Sequence, residues 1–226
     1  MELFPSEYIH IGGDEASKAA WKSCPLCQKR MKEEGLKDVD ELQSYLIHRM
    51  ERFLNEHGRS LLGWDEILQG GLAPNATVMS WRGEQGGIDA VLSGHHAIMT
   101  PGEYCYFDSY QDAPYSQPEA IGGYLPLEKV YSYNPVPDSI SADKQDFILG
   151  VQANLWAEYI PTDEHMEYML YPRAIALSEV AWTAPEKKSW DSFHERILKI
   201  IPVLKEKGYN TFDYAKEIGN RKEYSQ

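Results

Sequence analysis

Tyr8-Ile9-His10-Ile11-Gly12-Gly13-Asp14-Glu15 is a short β-rich run followed at once by two glycines and two acids. The pattern predicts a buried strand over 8–11, halted by a tight turn that leaves Asp14 and Glu15 at its carboxyl end. Downstream, Val39, Leu42, Tyr45, Leu46, Met50, Phe53 and Leu54 recur at spacings of three and four, with Gly58 as the stop, which predicts an amphipathic helix. The strand-then-helix alternation continues. Further strands are predicted at 60–64, 77–81, 97–100 and 147–152, with a short helix over 87–93. Thr162 is placed to cap a helix whose first turn holds Asp163 and Glu164 and which runs to Trp182, kinked or split at Pro172. A last amphipathic helix is predicted from about Trp190 to Lys205.

Near-continuous apolar strands that alternate with helices predict a single α/β domain built on a parallel sheet. The stretch 109–146, rich in Pro, Gly, Tyr and Ser, is too long for an ordinary connection and is expected to be a lid or binding loop. The chain of 226 residues carries 22 Lys and Arg against 35 Asp and Glu, a formal charge of −13. Nucleic acids and anionic membrane surfaces would repel it. No apolar run approaches the roughly 18 residues of a membrane span. Three cysteines do not make a disulfide framework. Met1-Glu2-Leu3-Phe4-Pro5 lacks the basic and apolar segments of a signal peptide, so either the protein is not exported or its true beginning lies upstream.

In parallel α/β folds the chemistry gathers at the carboxyl ends of the strands. Here those ends deliver Asp14 and Glu15; Trp64, Asp65 and Glu66; Trp81 and Arg82; Tyr104, Tyr106 and Asp108; and Asn154, Trp156 and Glu158. Carboxylates hold hydroxyls and carry protons, and indole faces stack on the apolar face of a pyranose, so the set suits a sugar. A single aromatic after a strand is ordinarily a packing residue; five strand ends that repeat the pattern weaken that explanation. His10 is expected to be a hydrogen-bonded core residue, and His95 and His96 to be surface or packing residues. Cys24, Cys27 and Cys105 are expected to be inert, and Lys199, Lys205 and Lys207 to form a solvated face. Most glycosidases set two carboxyls across the scissile bond. Asp14 and Glu15 are neighbours and cannot readily bracket a sugar, so another group is expected to be the nucleophile.

His10-Ile11-Gly12-Gly13-Asp14-Glu15 resembles the signature of glycoside hydrolase family 20, the β-N-acetylhexosaminidases. Gly63-Trp64-Asp65-Glu66, Ser80-Trp81-Arg82-Gly83, Tyr104-Cys105-Tyr106-Phe107-Asp108, Gln152-Ala153-Asn154-Leu155-Trp156-Ala157-Glu158 and Tyr171-Pro172-Arg173-Ala174-Ile175-Ala176-Leu177-Ser178-Glu179 agree in order. The resemblance implies a (β/α)8 TIM-type barrel, of which residues 1–226 supply only the C-terminal part, about strands 4 to 8. The upstream βα units, with a sugar-binding arginine on the first strand, have no counterpart here. The open edges are then expected to lead to homo-oligomers or aggregation, and the fragment alone to have little or no activity.

The resemblance further implies removal of terminal β-linked N-acetylhexosamine, GlcNAc or GalNAc, from oligosaccharides or glycoconjugates. It implies a retaining, substrate-assisted mechanism in which the 2-acetamido oxygen attacks the anomeric carbon to give an oxazolinium. Glu15 would be the acid and base, Asp14 would orient the acetamido N–H, and Tyr106 would donate to its oxygen. Trp64, Trp81 and Trp156 would wall the sugar, while Asp108 and Glu158 would hold a loop contact and the outer hydroxyls. No metal or other cofactor is called for, and the family suggests a secreted, periplasmic or lysosomal setting. Two other readings are a carbohydrate-binding or degenerate module without catalysis, and a metal-dependent barrel hydrolase using His10, Asp14 and Asp65.

Overall fold

The computed structural model describes residues 3–218. Strand β1 (Tyr8–His10) leads through the Gly12-Gly13 turn to helices α1 (Pro25–Glu34) and α2 (Val39–Glu56). Then come β2 (Ser60–Trp64), β3 (Thr77–Ser80), α3 (Gln85–Leu92) and β4 (Ala97–Met99). After α4 (Gly102–Cys105) and α5 (Leu127–Tyr131) come β5 (Ile148–Val151), α6 (Asp163–Leu170), α7 (Arg173–Trp182) and α8 (Trp190–Glu206). The strands form one sheet in the order β1-β2-β3-β4-β5. Pairing from β1 to β4 is parallel, with Ile9 opposite Leu61, Trp64 opposite Met79 and Met79 opposite Ile98. Strand order that matches chain order has no reversal point, as in a singly wound barrel and unlike a doubly wound sheet.

Each predicted strand is present; β2 has its predicted bounds and the other four are slightly shorter than expected. Two differ in burial. β1 is only half-buried, and His10 is exposed rather than in the core. Among the described residues β1 and β5 are the outer strands of the sheet, each with a neighbour on one side, and the apolar runs that suit a covered strand lie partly open.

The described residues fall into two compact units, 3–99 with 136–149 and 100–135 with 150–218. In the first, alternation along the strands separates two faces. Leu61, Val78, Ala97 and Met99 are fully buried, and the Met99 thioether packs so closely on Gly87 of α3 that a Cβ there would require Met99 to move. The opposite face carries Leu62, Trp64 and Met79, with Trp81 and Ile98 packed against them. Helix α2 starts where Asp38 accepts hydrogen bonds from the N–H groups of Asp40 and Glu41, both at 2.9 Å, an N-cap that contributes about 1 kcal/mol.

The second unit is organised around Arg173, whose side chain is completely buried at the start of α7. Its guanidinium donates to the carbonyls of Ser109 (2.9 Å), Leu125 (3.2 Å) and Met169 (2.7 Å), and to that of Phe107. Burial lowers its pKa to about 9, and the nearby Asp108 carboxylate opposes the drop. These bonds gather stretches far apart in sequence and satisfy carbonyls that would otherwise be buried alone. They also correct the expectation of a lid over 109–146. Ala113, Leu125, Leu127, Val130, Tyr131 and Tyr133 are buried, and Tyr131 stacks on Phe193 of α8 with ring centroids 4.4 Å apart. The expected break at Pro172 is a full division, with α6 ending at Leu170 and α7 beginning at Arg173. Thr162 caps α6 through His165 N–H at 3.1 Å, as its sequence predicts.

Candidate active site

The turn after β1 is built to hold two acids in an uncommon conformation. Gly12 and Gly13 adopt φ of 72° and 101°, and Glu15 sits at φ 49°, the only non-glycine with positive φ among the described residues. A left-handed conformation at a residue with a Cβ costs on the order of 1 kcal/mol and persists only where its surroundings impose it. The surroundings do. Trp64 N–H donates to Gly12 O at 3.0 Å, and Ile11 N–H donates to Leu62 O at 2.9 Å, so the turn is tied to β2. A Cβ on Gly13 would lie 2.7 Å from Ile67 Cγ2, which explains the second glycine. Asp14 and Glu15 both emerge exposed.

His10 accepts the Gly12 N–H at Nδ1 (3.0 Å), which puts its remaining proton on Nε2. Its ring meets Trp64 edge-on, with centroids 4.7 Å apart. Partial burial lowers the His10 pKa, and the Asp14 charge partly offsets that.

Parallel register sets Trp64 opposite Met79, so the residues just beyond each strand also meet. Asp65, almost fully buried, accepts from the backbone N–H of Trp81 (3.0 Å) and of Arg82 (3.2 Å) and from Arg82 Nε (2.5 Å). Glu66 accepts the Trp81 indole N–H at 2.9 Å. The two carboxylates therefore fix the indole in place and hold the Arg82 guanidinium. Among the described residues no group of three or more His, Cys, Asp or Glu is placed to hold a metal ion, and Asp65 is engaged by Arg82 rather than grouped with His10 and Asp14. Replacing Asp65 by Asn removes the charge and sets an N–H₂ group against at least one of the three donors, Arg82 Nε where the amide oxygen keeps the two backbone N–H groups. It is expected to lower the unfolding free energy of the chain by about 1–3 kcal/mol, read as a lower urea midpoint; an unchanged midpoint would refute this role.

The second unit carries the other predicted residues. Phe107 N–H donates to Asn154 O (2.7 Å) and Asn154 N–H donates to Cys105 O (2.8 Å), a parallel bridge that sets Tyr106 beside Asn154. Asn154 is held in turn by Thr100 Oγ1 (2.8 Å) and Gln152 Nε2 (2.9 Å). Tyr106 is half-buried, whereas Trp156 and Glu158 are exposed. Asp108 is buried, and its Oδ1 has no hydrogen-bond partner among the described residues. Desolvation raises its pKa, the Arg173 charge lowers it, and Glu158 raises it again.

The model of glycosyl hydrolase family 20, catalytic domain, matches residues 1–185. The chain belongs to this family. A beta-hexosaminidase of Porphyromonas gingivalis is 57% identical over 196 residues, which are 86% of this chain and 25% of that protein. A beta-hexosaminidase of Vibrio furnissii is 39% identical, covering 78% of this chain and 29% of the relative. Among solved structures, the family 20 exo-beta-N-acetylglucosaminidase of Vibrio harveyi in complex with N-acetylglucosamine superposes with a TM-score of 0.83 at 32% identity, over 93% of this chain and 33% of that one. The chain thus spans about a quarter to a third of the length of these family 20 relatives. Its five-stranded parallel sheet is part of the family's TIM barrel.

Within this family 20 segment, sequence reasoning finds the residues that face outward at the strand ends and misses those that hold them. Asp65 and Glu66 are visible as acids, but their role as acceptors for Trp81 and Arg82 needs the β2–β3 register. Arg173 lies inside a family motif without a role; a fully buried arginine on four carbonyls has no sequence signal beyond its place next to Pro172.

Proposed function

We propose that the protein carrying this chain is a β-N-acetylhexosaminidase that removes terminal β-linked N-acetylhexosamine, and that residues 1–226 are the C-terminal part of its catalytic barrel. The observation that carries this reading is the Gly12-Gly13 turn at a strand's carboxyl end, which holds Asp14 and an unfavourably twisted Glu15 side by side and exposed. Adjacent acids on one turn suit one face of a sugar and leave the nucleophile to another group, and the family resemblance implies that the attacking atom is the oxygen of the substrate's own acetamido group. Its oxygen bonds to the anomeric carbon as the glycosidic C–O bond breaks, giving an oxazolinium. Glu15 donates a proton to the departing oxygen, then takes one from the water that reopens the ring with retained configuration. Asp14 accepts the acetamido N–H and balances the positive charge that develops. Tyr106 donates to the acetamido oxygen, and Trp64, Trp81 and Trp156 enclose the sugar. Glu158 and Asp108 hold outer hydroxyls and the adjoining loop. Without the upstream βα units the chain alone has little or no turnover.

The test compares aryl 2-acetamido-2-deoxy-β-glucoside with the plain aryl β-glucoside in the full-length protein. Losing an oriented intramolecular nucleophile is expected to lower kcat/KM by at least about 10³-fold, well within the range for such groups. Equal rates, or a trapped glycosyl ester on the enzyme, would overturn the mechanism. Binding of the sugar with no turnover of either substrate would favour the carbohydrate-binding reading.

A further inference from the structure

The proposed hydrolysis gives Glu66 no part in the chemistry, yet its carboxylate is directed at one tryptophan. Strand β2 ends at Trp64, and the chain passes at once into a single 3-10 turn over Asp65–Leu68. That turn is pinned to α2, where Gln43 Nε2 donates to Glu66 O at 2.9 Å. The Glu66 side chain is buried, with Oε2 accepting the Trp81 indole N–H at 2.9 Å and Oε1 3.6 Å from Arg82 Nε. A charged acceptor makes the stronger kind of hydrogen bond, and burial strengthens it further.

Trp81 is half-buried and packs with Ile98 against Leu62, Trp64 and Met79 on one face of the sheet. Trp64 carries that surface to the acid turn: its ring meets His10 edge-on with centroids 4.7 Å apart, and His10 feels the Asp14 charge. The two indoles therefore line the sheet next to the acid that, in the proposed function, accepts the acetamido N–H. Packing alone does not fix such a ring, because apolar burial has no direction and a half-buried indole can turn and still cover the surface. A hydrogen bond at Nε1 removes that freedom by holding one edge of the ring in place.

We propose that Glu66 is a positioning residue that sets the enzyme's tolerance for the N-acyl group of its substrate, by holding the Trp81 indole as a stationary wall. The inference rests on the proposed function, which sets the sugar against Trp64 and Trp81. With the ring fixed, the space next to Asp14 has a set depth, and an acyl chain longer than acetyl meets the indole. One methylene in excess in an apolar enclosure changes kcat/KM by about 10–200-fold. With the ring released, the wall yields to the longer chain and discrimination falls.

The full-length protein and its Glu66→Leu, Glu66→Ala and Glu66→Gln variants are compared on aryl β-glucosides bearing a 2-acetamido, 2-propionamido or 2-butyramido group. In Glu66→Leu the acetyl-to-butyryl ratio of kcat/KM is expected to fall at least about tenfold from that of the unaltered protein. Glu66→Ala should do the same, so the result does not hang on the folding of one variant. Glu66→Gln keeps an oxygen that accepts the indole N–H and should hold the ratio within a few-fold. A loss of folded enzyme lowers both rates alike, so a merely structural role predicts no change in the ratio. A second readout needs no substrate. The Trp81 indole N–H signal in nitrogen-labelled protein, assigned by its absence in Trp81→Phe, should move upfield in Glu66→Leu and stay close to its place in Glu66→Gln. An unmoved signal in Glu66→Leu would overturn the positioning role. A moved signal with an unchanged ratio would overturn the specificity role, while cleavage of the acetyl substrate leaves the proposed function standing. Failure of the unaltered protein to cleave any of the three would sink that function and this inference with it.

Discussion

In the full-length protein, Glu15→Gln is expected to lower kcat on aryl N-acetylglucosaminides by about 10²–10⁴-fold, the usual worth of a positioned general acid–base. The glutamine keeps the shape of the side chain and the φ of 49° at this position, so binding should change little. KM should therefore stay within a few-fold, and the loss should fall on turnover. The size of the loss should depend on the leaving group. A dinitrophenolate departs without a proton, so its release should be nearly spared, whereas a methylumbelliferyl or sugar alcohol needs protonation and should bear the full effect. A loss of equal size for both leaving groups would point to a disturbed turn rather than a missing acid. An unchanged rate would remove Glu15 from the mechanism.

The elements legible in the sequence are those with local signals. Helix α2 declares itself by apolar spacing, and the division at Pro172 by the missing backbone N–H. Helix α1 escapes a search for periodicity because only Met31 of its ten residues is buried, so it has no apolar stripe. Its mark is different: Pro25 just inside the start and Gly35 at φ 70° just past the end, a bracket that can be recognised without periodicity. The stretch 109–146 resembles a lid in sequence because it is long and rich in Pro, Gly, Tyr and Ser, with its apolar residues scattered among them. They are buried because Arg173, far along the chain, binds the carbonyls of Ser109 and Leu125. His10 is misplaced by sequence for a related reason: an apolar run says that a strand forms, and only the strand order says that it has one paired neighbour among the described residues.

The site shows the same division. Residues that offer groups outward, Asp14, Glu15 and Trp156, can be found by inspecting the segment just beyond each strand. Residues that hold others in position cannot. The acids of the second strand end look equivalent to those of the first, yet Asp65 is buried against Arg82 and two backbone N–H groups, while Asp14 is exposed. Parallel register sets the second pair: Trp64 aligned with Met79 brings the next two residues of each strand end together. Among the described residues the second acid pair is taken up in holding Trp81 and Arg82, whereas the first is exposed.

Asp14→Asn tests the other half of the proposed chemistry, and two independent measurements bear on it. In the full-length protein kcat/KM is expected to fall by about 10²–10³-fold, comparable to the removal of one preorganised electrostatic partner of a developing charge. Asparagine can still accept the acetamido N–H through its oxygen, so what disappears is the negative charge opposite the forming oxazolinium, and the loss should lie in kcat more than in KM. The second measurement needs no substrate. Asp14 presently opposes the lowering of the His10 pKa by burial, so removing its charge should move the His10 imidazole pKa further down, read by NMR titration of the chain itself. A His10 shift with intact kcat/KM would mean that Asp14 carries charge beside His10 but does not serve the reaction. A loss of activity with an unmoved His10 would mean that the Asp14 carboxylate does not face the His10 ring, and that the turn geometry needs revision. Only both changes together support an ionised Asp14, held beside His10 on the Gly12-Gly13 turn, as the group that orients and stabilises the acetamido nucleophile.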